Sequence, residues 1–320
     1  MPRKKSAGSA SLPRSFRRTK AFLYANVILW AVLGAWFLFQ PRERQDEVAR
    51  LTQNAFDSRK GITAFDVAWD VWQLYYSKDY VAGVAAGDKT HVYGGAPRIV
   101  APPATSVRVL PNTGYVAGYS DALGNPLWAA YRVADIELRD PPPRPDNFVP
   151  DLRTVARIDS QVYTGSDYDR GHLAPNYAIA TRYGLRAQEE TFQMSNICPQ
   201  RHTLNAGVWK NLEHRIATNY AGRFGEVWVL AGPVFSAHPD KLRRRVAIPE
   251  AFYMIVVDES DGRVRAEAFL FPQETPASAR MDDYVASVDE IERRTGLDFL
   301  SELPDEAENA LEARKVERAW

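Results

Sequence analysis

Two short segments gather residue types that could work on a phosphodiester. Asp169-Arg170-Gly171-His172 comes first, and Asn205-Ala206-Gly207-Val208-Trp209-Lys210-Asn211-Leu212-Glu213 follows, with His172 and Asn205 33 residues apart. An imidazole can take a proton from water, a guanidinium can hold a phosphate, and amide or carboxylate oxygens suit a hard cation. Phosphodiester hydrolysis needs those three parts together. Taken singly, each residue has a plainer reading. A lone histidine is more often a partly buried residue bonded to a carbonyl. A lone arginine is usually a surface ion-pair partner. Asn205 near a helix start could be an N-cap, and Glu213 a solvated helix residue.

The elements that must position these residues are partly readable. Asp167-Tyr168-Asp169-Arg170-Gly171 reads as the end of a strand or a loop, so local backbone would hold His172. From Leu204 to Thr218 the chain reads as a helix whose Trp209, Leu212 and Ile216 make one apolar stripe. Asn205 and Glu213 are eight residues apart, a little over two turns, which puts them on roughly the same side.

Strand patterns begin near residue 106 with "SVRVL", then "GYVAGYSD" and "PLWAAYRVAD" joined through Leu123-Gly124-Asn125. Residues 139–151 carry five prolines and must be loop. "EVWVLAG" (226–232) reads as a buried strand, and "FYMIVVDESDGRVRAEAFLF" as a hairpin turning at Asp261-Gly262. Ser287-Val288-Asp289-Glu290 is a capping box for a helix that Thr295-Gly296 ends. The tail after Pro304 is a polar helix or disordered.

The N-terminal part differs in kind. Residues 1–20 carry Arg3, Lys4, Lys5, Arg14, Arg17, Arg18 and Lys20 and no acid, and residues 21–40 carry no charge. Twenty apolar residues at ~1.5 Å rise span a ~30 Å hydrocarbon core. The basic flank puts the N-terminus in the cytoplasm and everything after residue 41 across the membrane. A cleaved signal peptide is the rival reading, disfavoured by the length of the stretch and by "QPRERQDE" after it. Residues 41–60 suggest a helical stalk. Residues 62–83 read as a denser helix with Phe65, Ala68, Trp69, Trp72 and Tyr76 on one side, packed on the domain or against a second copy.

The four blocks "DRGHLAPNYA" (169–178), "TFQMSNICPQ" (191–200), "LNAGVWKNLE" (204–213) and "VWVLAGPVF" (227–235) resemble the DNA/RNA non-specific endonuclease family, the endonuclease G-like ββα-metal nucleases. The resemblance extends to "GYSDALGNPLWAAYRV" (118–133) and "SVDEIERRTGLDFL" (287–300), so it covers about 110–300 in the family's order. It implies that His172 is the general base and Asn205 the single protein ligand of Mg²⁺, with Mn²⁺ as another candidate ion. It implies that Glu213 orients water on the metal, that Arg170 holds the phosphate, and that cleavage leaves 5′-phosphate ends. A further family arginine lies upstream, for which Arg144, Arg153 and Arg157 are open candidates.

The expected fold is therefore α+β, a ββα-metal nuclease domain with a central, mostly antiparallel sheet behind one transmembrane helix. The expected division is a basic tail 1–20, a membrane helix 21–40, a stalk and loop 41–105, the nuclease domain 106–303 and a polar tail 304–320. The expected partners are DNA and RNA, the membrane through residues 21–40, and a second copy as a homodimer option. The alternative is a membrane-tethered nucleic-acid-binding or scaffold domain that keeps the fold without turnover. Forty basic and forty acidic residues give no whole-chain charge signal, so any basic cleft must be local. One cysteine, Cys198, excludes an intramolecular disulfide and reads as a core residue; no paired Cys/His set suggests zinc. His202, the histidine nearest Cys198, reads as a loop residue, and His91, His214 and His238 read as non-catalytic.

Overall fold

The structure is a computed structural model that describes residues 14–76, 78–102, 106–260 and 262–320. The basic run up to residue 13 and Asp261 of the expected turn lie outside the described residues. The chain divides into two compact units, 1–53 and 54–320. The first holds helix α1 (Arg14–Leu38) and most of α2 (Arg42–Ala55). Within α1, Thr19–Leu38 is long and apolar enough to cross a membrane, with mean hydropathy 1.9 and none of it buried.

The second unit begins with helix α3 (Ala64–Tyr76), shorter at its end than the pattern over 62–83 suggests. Strands β1 (Val81–Ala82), β2 (Arg108–Pro111), β3 (Val116–Ser120) and β4 (Asn125–Ala134) follow. Next come β5 (Tyr168–His172), helix α4 (Asn176–Thr191), β6 (Ile197–Arg201) and a long helix over 202–224, α5. The unit closes with β7 (Glu226–Val234), β8 (Ala251–Ser260), β9 (Arg263–Pro272), β10 (Val285–Ala286), α6 (Val288–Thr295) and α7 (Asp305–Glu312). Seven strands form the central ladder in the order β1-β9-β8-β7-β4-β3-β2, β10 adds to β9, and every pairing is antiparallel.

Both faces of this sheet are buried, which is why "EVWVLAG" shows no polar alternation. Ala129, Tyr131, Val133, Val229 and Ala231 belong to one core with Leu204, Trp209, Leu212, Ile216 and Tyr220 of α5. Trp128, Ala130, Trp228 and Leu230 belong to the other, with Val288 and Ile291 of α6 and Leu311 of α7. The expected apolar stripe of α5 is thus fully buried, Trp209 and Leu212 at 0 % exposure and Ile216 at 1 %. The expected caps are also present. Ser287 Oγ accepts from the Glu290 amide at 3.2 Å, and Gly296 ends the helix at φ 70°.

Residues 54–76 pack into the second unit through buried polar contacts. Lys60 Nζ donates to Asp135 at 2.6 Å and to Asn54 Oδ1 at 2.8 Å, while Asn54 donates to the Gly222 carbonyl at 2.8 Å. Asp70 and Arg223 form a two-bond ion pair, 2.8 Å each, with side chains 7 % and 2 % exposed. The C-terminal segment takes the helical option at Asp305–Glu312, and the Trp320 ring packs 5.5 Å from Phe224. Removing one member of a buried pair leaves the other charged and unsatisfied, so Asp70→Ala should cost ~3–5 kcal/mol of unfolding free energy. Urea denaturation of the variant checks this; a cost below ~1 kcal/mol would mean that water reaches Arg223.

Candidate active site

Strands β5 and β6 form their own two-stranded sheet, with Asp169 opposite Gln200, Gly171 opposite Cys198 and His172 opposite Ile197. A small core of Ile158, Val162, Tyr163, Met194, Ile197 and Val246 supports the hairpin. Gly171 is required by packing. A Cβ there would sit 2.8 Å from the Cβ of the fully buried Gln200, a clash that no change of side-chain rotamer relieves.

Strand alternation sends Arg170 and His172 to one side and Asp169 to the other. On the first side the His172 ring packs 5.5 Å from Phe148 and 5.1 Å from Phe192. Its Nε2 is buried and has no hydrogen-bond partner, so the carbonyl-bound reading of this histidine is not what the structure contains. Burial, helped by the charge of Arg144, brings its pKa down to about 3 and keeps the ring neutral at physiological pH. Arg170 lies 5.9 Å over Phe148 and 5.7 Å over Tyr163, and its Nη2 donates to the Ser160 carbonyl at 2.8 Å.

On the other side, Asp169 joins strand to helix. Its Oδ2 accepts from Asn205 Nδ2 at 2.9 Å and lies 2.8 Å from His202 Nδ1. Asn205 has helical backbone angles, φ −58° and ψ −49°, and sits inside α5, which starts three residues earlier at His202. It is therefore not the N-cap of that helix. With its amide nitrogen bonded to Asp169, its Oδ1 has no hydrogen-bond partner among the described residues. The turn over Asn205–Trp209 is wider than an α-turn and kinks at Gly207, φ −97° and ψ −121°. A Cβ at Gly207 would lie 3.1 Å from Ala277 Cα.

Further along α5, Glu213 Oε1 accepts from Trp209 Nε1 at 2.9 Å. The Trp209 ring is itself wedged 5.7 Å from Phe252, so the carboxyl is held by a rigid donor. Burial pushes the Glu213 pKa up to about 8, against the opposing pull of that hydrogen bond and of Arg144 and Lys210.

Of the three upstream arginines, Arg153 is tied to Asp151 at 2.7 Å, to Asn112 at 2.8 Å and to Gln193 at 2.7 Å. Arg157 occupies a left-handed backbone position, φ 41°. Arg144 is exposed, stands 5.0 Å over the Phe192 ring, and acts electrostatically on both His172 and Glu213. Cys198 is fully buried and its thiol is pushed up, which removes it as a nucleophile. His202, which reads as a loop residue in the sequence, instead opens α5 against Asp169. Phe148 and Phe192, which wall the histidine, carry no mark in sequence beyond being aromatic.

The donor set fits a hard cation. It offers an amide oxygen with no hydrogen-bond partner among the described residues, a carboxylate beside it, and, further along the helix, a half-buried carboxyl whose pKa burial raises. The histidine lies on the first strand of this strand–helix unit and the asparagine and glutamate on its helix, with an antiparallel sheet forming the body of the domain. The model of the DNA/RNA non-specific endonuclease family matches residues 96–306, and the chain belongs to that family. A nuclease of Nostoc sp. is 31% identical over 212 residues, covering 62% of this chain and 76% of the relative. A nuclease of Serratia marcescens is 31% identical over 197 residues, 58% of this chain and 73% of the relative. Human mitochondrial endonuclease G is 27% identical over 202 residues, covering 58% of this chain and 67% of the relative. A crystal structure of EndoG bound to its inhibitor EndoGI shares the fold, with TM-score 0.56 and 23% identity over 64% of this chain and 90% of that one. The protein is thus an enzyme that hydrolyses nucleic-acid phosphodiester bonds.

Glu213 and His172 give opposite pH signatures. Glu213 is raised from 4.5 to about 8 on folding, so its contribution is complete below pH 4.5 and is lost as pH rises toward 8. His172 is depressed from 6.5 to about 3, so stability falls as pH drops through that window. In metal-free protein, Glu213→Gln should gain stability relative to wild type as pH rises from about 5 to about 8. Parallel urea titrations across that range test it, and equal pH slopes for the two proteins would show an ionised carboxyl in the fold.

Proposed function

We propose a membrane-anchored endonuclease that cleaves DNA and RNA with little sequence preference, using Mg²⁺ or a similar hard ion such as Mn²⁺. The observation that carries this reading is the Asp169–Asn205 hydrogen bond, which joins the histidine strand to the helix bearing Asn205 and Glu213. Asn205 Oδ1 would hold the ion, with Asp169 and Glu213 behind it. When bound, the ion supplies positive charge for the leaving 3′ oxygen.

The protein's own groups do the rest. His172, neutral because it is desolvated, takes a proton as water attacks phosphorus and the bond to the 3′ oxygen breaks. The product ends would be a 5′-phosphate and a 3′-hydroxyl. Arg170 keeps part of its guanidinium free beyond the Ser160 carbonyl and would grip a phosphate oxygen. Arg144 is the arginine we assign to the second phosphate contact, because it alone of the three candidates acts on both His172 and Glu213. These contacts address the sugar–phosphate backbone and not base edges, which supports cleavage with little sequence preference. Thr19–Leu38 would anchor the chain, with the basic flank on the cytoplasmic side.

Plasmid nicking by the full chain with Mg²⁺, against EDTA, tests the activity. His172→Ala should lower the rate by ~10²–10⁴-fold while the fold survives. Retention of more than about a tenth of the rate would remove His172 as the base. Asn205→Ala should raise the Mg²⁺ concentration needed and lower the maximal rate, whereas His172→Ala should leave the metal dependence nearly unchanged. Wild-type metal dependence in Asn205→Ala would move the ion to Asp169 or Glu213.

For the anchor, protease protection on intact membranes should find the chain past residue 41 on the face opposite the N-terminal tail. Digestion around residue 250 from the cytoplasmic side would reverse the topology, and a mature chain lacking residues 1–40 would make the apolar helix a cleaved signal.

A further inference from the structure

Helix α3 is mounted inside out. Ala64, Phe65, Ala68, Trp69 and Trp72 are exposed, while Asp70 and Gln73 are buried. Asp70 holds Arg223 in the core through its two-bond ion pair. Asp66 accepts from the Thr63 amide and hydroxyl at 2.8 Å each, and it lines a cleft with Asn211 and Thr218 of α5. The side that reads in sequence as packing on the domain therefore faces outward, and the helix turns its acids to the protein instead.

The outward side is aromatic and uncharged. Phe65, Trp69 and Trp72 are 65 %, 44 % and 47 % exposed. They recur at i, i+4 and i+7 and stack into one ladder, with ring centroids 6.2 Å apart for Phe65–Trp69 and 5.1 Å apart for Trp69–Trp72. A contiguous apolar row on the surface marks a place of contact.

Size, chemistry and position say what it contacts. Rings of ~150–250 Å² each, about half exposed, offer on the order of 300 Å², well under the ~800 Å² per partner of a stable protein interface. Indole joins an apolar body to one N–H donor, the combination that settles between lipid headgroups and acyl chains. Position supplies the lipid. The apolar span Thr19–Leu38 lies upstream in the same chain, and α2, 14 residues and ~21 Å long, with a short connection separates it from α3. The stripe also precedes the family-matched residues 96–306.

We propose that the Phe65–Trp69–Trp72 side of α3 is a membrane-docking surface, seated in the lipid interface beside the span. The inference rests on the anchoring reading and adds a second membrane contact to it. Because that side carries no charge, docking needs no anionic lipid and is insensitive to salt.

The test uses the full chain in phosphatidylcholine nanodiscs, labelled with the fluorophore NBD at Ala68→Cys, an exposed position in the stripe. The native Cys198 is buried and does not take the label. A nitroxide lipid should quench the Ala68→Cys label severalfold at low and high salt, and iodide in the water should quench it little. Phe65→Ser, Trp69→Ser and Trp72→Ser together should reverse both readings, with circular dichroism confirming the fold, and Trp69→Ser alone should reverse them in part. Iodide quenching as strong as that of the free label would overturn the proposal. So would shielding from both quenchers, which would place a second copy on the stripe. A separate label at Val27→Cys reads the anchor. Lipid quenching at Val27 with none at Ala68 removes the docking surface and leaves the anchor, whereas no lipid quenching at Val27 removes the anchor and this inference with it.

Discussion

One carboxylate oxygen, Asp169 Oδ2, holds the candidate site together. The strand that carries Arg170 and His172 and the helix that carries Asn205 and Glu213 are separate pieces of chain, and this oxygen bonds the one to the other. An asparagine side chain can present either its nitrogen or its oxygen, and the acceptor at Asp169 selects the nitrogen. The oxygen is left without a hydrogen-bond partner among the described residues. His202 adds a second contact to the same atom, so the carboxylate is itself held in place. The interaction is charge-assisted, which makes it stronger than a bond between neutral groups.

Burial acts in opposite directions on the two titratable groups. The same desolvation that lowers the His172 pKa raises that of Glu213, because burial disfavours the charged form. Arg144 sharpens the division at the histidine and softens it at the glutamate. The Phe148–Phe192 wall on the histidine side and the Trp209 ring on the glutamate side supply the dry surroundings that both effects require.

What could be read from sequence depended on the range of the physics. The stripe of Trp209, Leu212 and Ile216 was legible because helical periodicity records burial directly. Ser287 and Gly296 were legible because caps are local chemistry. The motif residues carried the family, and with it the fold. The three upstream arginines could not be told apart, because Arg144 lies on a proline-rich loop that has no period. The Asp169–Asn205 bond spans 36 residues, and nothing in the spacing announces it. The widened turn at Asn205–Trp209 is equally silent, since the apolar pattern on either side still looks helical.

The doubly covered sheet separates two neighbourhoods. Helix α5 belongs to the core on one face, and α6 and α7 belong to the core on the other. Packed layers stand about 10 Å apart, and the dry core between them, unlike salt water, screens charges little. Charge added around α7 is therefore weakened at the opposite face by distance and not by salt.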